Sequence, residues 1–177
     1  MITKSIKDKI KEYFFVHPAE KLRVRQIERA VKVPLPSAIR YAKELEKEKI
    51  LQSRDISGIK VFGADRNSKK FIIEKKLYNI KELFNSGFVD YIIENYSNPA
   101  IIVFGSYSKG EDTEKSDIDI YIETPSKNTI ELKKFENILD RNIQIFIYGN
   151  IKKIPNLKLA NNILNGIVLN GFIEVLK

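Results

Sequence analysis

The sequence predicts an α+β chain of two domains, a small basic helical module followed by a small mixed β-sheet flanked by helices. Three observations predict it. Positive charge is gathered at the start: residues 1–66 hold 16 Lys and Arg against 9 Asp and Glu, and residues 67–177 hold 15 against 14. Apolar residues recur at helical spacing through the first fifty positions. In the second half a short apolar run, Ala100 to Phe104, is followed by Ile118, Ile120 and Ile122 in strict alternation with polar residues, the period of a strand.

Thr3 can cap a first helix whose apolar positions are Ile6, Ile10, Tyr13 and Phe14, ended by His17-Pro18. A second helix covers Val24 to Val31. Val33-Pro34-Leu35-Pro36 is a turn, and Pro36 suits the first position of a third helix reaching Lys49. That helix buries Ala38, Tyr41, Ala42 and Leu45 and shows Ser37, Arg40, Lys43, Glu44 and Lys47 outward. Ile50–Arg54 and Ile59–Gly63 are short strands of a hairpin around Asp55-Ile56-Ser57-Gly58. Asn67 and Ser68 open a long helix with Ile73, Leu77, Ile80 and Phe84 as its apolar stripe, closed by Gly87 in the left-handed conformation. Another helix runs from Phe88 to Tyr96. Asn98-Pro99 is a turn before the strand 100–104, and 124–128 is a turn after the alternating strand. Leu132, Phe135, Ile138 and Leu139 mark a helix, and Ile143 to Tyr148 a strand with Gln144, Phe146 and Tyr148 on one face. A helix through Ala160, Ile163, Leu164, Ile167 and Val168 precedes a final short strand, Phe172 to Leu176.

Composition excludes several classes. At 43% hydrophobic and 31% charged, the chain is globular. It contains no cysteine, which removes disulfides, thiolate chemistry and cysteine zinc sites. No apolar run approaches a membrane span and the N-terminus has no secretory core, so the expected location is cytoplasmic. His17, the one histidine, sits beside a proline at a helix end and is expected to be a surface or capping residue.

The chemistry is concentrated in Phe104 to Ile122, FGSYSKGEDTEKSDIDIYI. Asp117 and Asp119 project from one face of a strand about 7 Å apart by strand rise. Paired carboxylates of this kind suit a hard cation bound through oxygen. Gly105-Ser106, in a turn after a buried strand, offers backbone N–H groups and a hydroxyl to a phosphate. Glu111, Asp112 and Glu114 fall in the spacer and are expected to be solvated. Glu123 shares the aspartate face but lies too far along the strand to be a good third ligand.

This stretch resembles the nucleotidyltransferase superfamily of DNA polymerase beta, above all its small prokaryotic members, whose signature is Gly-Ser, a ten-residue spacer and Asp-x-Asp. The resemblance implies a nucleotidyltransferase fold over residues 98–177 and transfer of a nucleotidyl group from a nucleoside triphosphate to a hydroxyl acceptor. It implies Asp117 and Asp119 as catalytic residues and ligands of Mg2+ or Mn2+, and Gly105, Ser106, Lys109, Gly110 and Ser116 around the nucleotide. The family also carries a third carboxylate on the next strand. Here that position is Gln144, which is neutral and cannot take a proton from an attacking hydroxyl. Its loss should spare nucleotide binding more than transfer.

Residues 1–66 resemble a winged helix-turn-helix domain, with Pro36–Lys49 as recognition helix and Ile56–Gly58 as the wing tip. That resemblance implies duplex DNA as partner, met by Ser37, Arg40, Lys43, Lys47, Ser57 and Lys60; residues 67–97 would be linking helices. The alternatives are a DNA-binding regulator with a catalytically impaired nucleotide-binding domain, an antitoxin-like protein, and a winged helix used to dock a protein partner. No membrane partner is expected.

Overall fold

The computed structural model describes residues 4–126 and 128–175. Its contacts divide the chain into two compact units, Met1–Tyr78 and Asn79–Lys177.

The first unit begins with α1 (Ile6–Val16), capped by Ser5, whose hydroxyl accepts from the Asp8 N–H at 3.1 Å. The cap predicted at Thr3 lies outside the described residues. A two-residue strand β1 (Lys21–Leu22), too short to leave a periodic signal, precedes α2 (Val24–Val31) and α3 (Leu35–Lys47). β2 (Leu51–Ile56) and β3 (Ile59–Ala64) form the expected hairpin, joined by Ser57 and Gly58 at φ +53° and +78°. Positive φ at both loop positions gives the hairpin turn whose twist matches its strands. The sheet is antiparallel in the order β1-β3-β2. Its inner face and the three helices enclose Ile10, Phe14, Ile27, Ala38, Ala42, Leu45 and Phe62.

α4 (Lys69–Asn85) contributes to both units: Phe71 and Tyr78 belong to the first core, Ile80 and Leu83 to the second. The division therefore falls inside α4, not at residue 66. The face of α4 also differs from the predicted stripe. Ile73, Leu77 and Phe84 are exposed, while Phe71, Lys75, Asn79 and Leu83 are buried at steps of four. Two of these four are polar, so a search for apolar periodicity selects the wrong face. Each polar side chain has a specific partner. The Lys75 ammonium donates to the Phe15 carbonyl at 2.6 Å, in the last turn of α1 where backbone carbonyls lack helical partners.

The second unit continues with α5 (Phe88–Asn95), β4 (Ala100–Phe104), α6 (Gly105–Lys109), β5 (Ile118–Glu123), α7 (Lys133–Leu139), β6 (Ile143–Tyr148), α8 (Leu157–Leu164) and β7 (Ile167–Asn170). Its sheet is mixed, in the order β6-β5-β4-β7, with β5 and β6 parallel and the other pairs antiparallel. Alternation sorts the strand residues onto two faces. Ile101, Val103, Ile118, Ile120, Ile122 and Ile143 pack on Phe88, Ile92 and Phe135; Ile102, Phe104 and Tyr121 pack on Ile151, Ile154 and Ile163. The C-terminal reading is corrected. α8 stops at Leu164, and Ile167–Asn170 pairs with β4 as an edge strand. Residues 172–175 form no strand, and Leu176 lies outside the described residues. Ile167 fits both the helical and the alternating period, and the open edge of β4 decides between them. No helix among the described residues is long and apolar enough to cross a membrane.

Candidate active site

The site is built where β4 ends. Phe104 is extended, and the chain turns directly into α6 with Gly105 at φ +73°. Glycine is required there twice over. The conformation is one that L-residues adopt at a cost, and a Cβ at 105 would fall onto the Asp119 carboxylate. Gly110, at φ +75°, ends the single turn.

Strand register fixes what surrounds Asp119. Phe104 pairs with Asp119, and Asp119 with Gln144, so the three stand in one row on one face of the sheet. The register thus places Gln144 beside Asp119. Asp117 lies one residue before β5 and is exposed, while Asp119 is half-buried. Burial, and then the charge of Asp117, push the Asp119 carboxyl above the usual carboxylate range. A half-buried carboxylate beside a second one forms a place where a cation is welcome. Asp117 and Asp119, with the Gln144 carbonyl as a neutral oxygen, fit a hard divalent ion. Among the described residues no group of three or more His, Cys, Asp and Glu is placed to hold a metal.

The Gly-Ser turn is fastened from below. Asn79 Nδ2 donates to the Tyr107 carbonyl at 2.9 Å and to Asp112 Oδ1 at 2.7 Å. Ser108 Oγ donates to the Gly105 carbonyl at 2.9 Å. Asp112 is therefore buried, 1% exposed, and not solvated as the spacer position suggested. Neither Asn79 nor Asp112 stood out in the sequence. The one available signal was a polar residue every four positions on α4. Ser106 and Lys109 flank the turn, Lys109 exposed. Ser116 fastens the other end of the spacer, its Oγ accepting from the Thr113 N–H at 3.0 Å just before Asp117. Glu123 is engaged elsewhere, accepting from the Tyr121 hydroxyl at 2.8 Å. Burial, then this bond, raise the Tyr121 phenol far above its usual range.

In the first unit the residues picked out for DNA are spread over α3 and the hairpin. Arg40 lies over the Tyr41 ring at 4.3 Å and 3.7 Å from Glu44; Lys60 pairs with Glu46 at 3.0 Å. The Ser53 hydroxyl, then Lys60, hold the Glu46 carboxyl below its usual range. Lys43 and Lys47 are exposed, Ser37 is half-buried, and Ser57 forms the turn of the hairpin.

Comparison with known proteins fits this geometry. A model of the nucleotidyltransferase domain family matches residues 86–170. Two relatives come from Methanocaldococcus jannaschii. "Putative protein adenylyltransferase MJ1215" is 38% identical over 82 residues, 94% of its length and 44% of this chain. "Putative protein adenylyltransferase MJ0128" is 41% identical over 70 residues, 70% of its length and 37% of this chain. No solved structure matches. With the Gly-Ser turn, the two aspartates and the strand row all inside the matched segment, the chain belongs to the nucleotidyltransferase domain family.

Proposed function

We propose that the second unit binds a magnesium–nucleoside triphosphate and transfers its nucleotidyl group slowly to a hydroxyl acceptor. The observation that carries this is the row Phe104–Asp119–Gln144, with Asp119 against Gly105 and its acidity weakened by burial and then by Asp117. Asp117 and Asp119 hold the divalent ion, Mg2+ or Mn2+. Ser106 and the backbone after Gly105 take the phosphates, Lys109 offsets their charge, and Gly110 and Ser116 hold the loop ends. A bound divalent ion supplies charge stabilisation at the transferring phosphorus. The acceptor oxygen bonds to the α-phosphorus and gives its proton to solvent water, the bond from the α-phosphorus to the bridging oxygen breaks, and pyrophosphate leaves. Gln144 cannot receive the acceptor proton, so transfer lags behind binding. The names of the relatives support an adenylyl group as the group transferred and a protein as its acceptor.

The first unit supplies a second reading. Its order of helices and hairpin supports a winged helix that meets duplex DNA through Ser37, Arg40, Lys43, Lys47, Ser57 and Lys60. In that reading the protein is a DNA-binding regulator whose nucleotide site senses more than it transfers, a role that Gln144 favours. Calorimetry with magnesium and each nucleoside triphosphate tests the first reading: wild type binds, with ATP preferred, and Asp117→Asn loses the metal-dependent part. Equal binding by both proteins would remove Asp117 from the site.

A further inference from the structure

The first unit holds a cavity that neither DNA contact nor nucleotidyl transfer uses. It has a volume of about 270 Å³ and opens on the outer face of the β1-β3-β2 sheet, lined by Glu20, Lys21, Gln52, Arg54, Gly63 and Arg66 among others. Register explains its shape. Lys21 and Gln52 each pair with Gly63, so the three form one row across the sheet, with a missing side chain in the middle. A Cβ at 63 would lie 3.1 Å from the Glu20 carbonyl and 3.4 Å from Lys21 Cγ, so glycine keeps the floor open. Arg54 stands one step along the same face, since its partner is Val61, two residues before Gly63.

The cations here differ from those on α3. Arg40 and Lys60 have carboxylate partners, whereas among the described residues Lys21, Arg54 and Arg66 have none. All three are exposed. The single carboxylate of the cavity, Glu20, accepts from the Tyr13 hydroxyl at 2.6 Å. Three cations against one carboxylate leave two positive charges.

We infer that this cavity is a binding site for a small phosphomonoester, its phosphoryl group held by Arg54, Arg66 and Lys21 over Gly63. A phosphomonoester carries about −1.5 to −2 charge at neutral pH, which matches the surplus. A guanidinium fork suits phosphate oxygens. A backbone phosphodiester carries one charge and fits less well beside Glu20. The cavity lies at the small end of ligand pockets, the size for a nucleoside monophosphate or a sugar phosphate and not for a long polymer. The inference stands independently of the reading of the second unit.

The test follows the Gly63 amide by nuclear magnetic resonance in the full chain, with a chelator present so that no metal-dependent nucleotide site contributes. Inorganic phosphate and adenosine 5′-monophosphate are the probes. Both should shift the Gly63 signal. Arg54→Ala and Arg66→Ala should each weaken the apparent affinity about tenfold or more, the scale of a lost charge-assisted hydrogen bond. Asp117→Asn should bind as wild type does. The proposal fails if Gly63 does not respond to either probe, or if the Arg54→Ala, Arg66→Ala double variant binds unchanged. It also fails if a short duplex without terminal phosphates displaces phosphate from Gly63 at matched phosphate concentration, because the site would then read the nucleic-acid backbone.

Discussion

Replacing Gln144 by aspartate puts a negative charge beside Asp119, at the position to which the family resemblance assigns a third carboxylate. Neighbouring strands lie about 4.8 Å apart, so the new carboxylate would sit roughly 5 Å from Asp119. At that distance two like charges repel by about 3 kcal/mol near a protein surface and by under about 1 kcal/mol in bulk water. Gln144 is exposed. The lower part of the range applies, about 1 kcal/mol, and Asp119 would become less acidic by somewhat under one pKa unit. Two effects should follow. Without metal at neutral pH, urea unfolding should show Gln144→Asp less stable than wild type by about 1 kcal/mol, and magnesium should restore more stability to the variant than to wild type. With labelled nucleoside triphosphate and an acceptor, transfer should rise by about 10²–10⁴-fold, the contribution of a positioned base. Metal-free stability equal to wild type would mean that residue 144 does not face Asp119. A variant that shows the penalty but transfers no faster would refute the lost carboxylate as the limiting group.

Three further outcomes are expected. Asn79→Ala removes hydrogen bonds to a buried carboxylate and a buried carbonyl and should destabilise the protein by about 2–4 kcal/mol in urea unfolding; a loss under about 0.5 kcal/mol would show that the turn is not fastened there. The folded-state pKa of Asp119 lies above its unfolded value, so ionisation costs stability at pH values above the folded pKa and nothing below the unfolded pKa of about 3.9. Thermal melts with chelator should therefore find Asp119→Asn more stable than wild type at pH 7 and level with it near pH 3; lower stability at pH 7 would contradict the assigned charge strain. Arg40→Ala combined with Lys43→Ala should weaken duplex DNA binding and flatten its dependence on salt, measured by fluorescence anisotropy. Binding indifferent to both salt and the double variant would point to a protein partner.

The strands that carry the site were legible because each side chain has one clear preference. Isoleucine alternates with other residues through β5 and β6, so which side chains share a face follows from period two, whereas matching Gln144 to Asp119 rests on the family resemblance and the register itself on the folded sheet. The parts that escaped are those where burial is polar. Lys75, Asn79 and Asp112 are inside because each meets a specific hydrogen-bond partner supplied by distant chain, and no local pattern announces such a partner. β1 escaped through its length, two residues with no period to read. β7 escaped because a short apolar segment after a helix can continue the helix or join an open sheet edge, and only β4 settles which.

The glutamates around α3 have a thermodynamic consequence for any polyanion that binds there. A duplex gains much of its affinity for a basic surface by shedding condensed cations, one set for each phosphate neutralised. Lys60 and Arg40 already carry counterions that are covalently part of the chain, Glu46 and Glu44. When a phosphate replaces such a carboxylate, the cation released from the nucleic acid is partly offset by one taken up near the freed glutamate. The net ion release per contact falls, and non-specific affinity falls with it. If duplex DNA is the polyanion, such a helix would discriminate against random sequence, because only a site that adds contacts with base edges would repay the broken ion pairs.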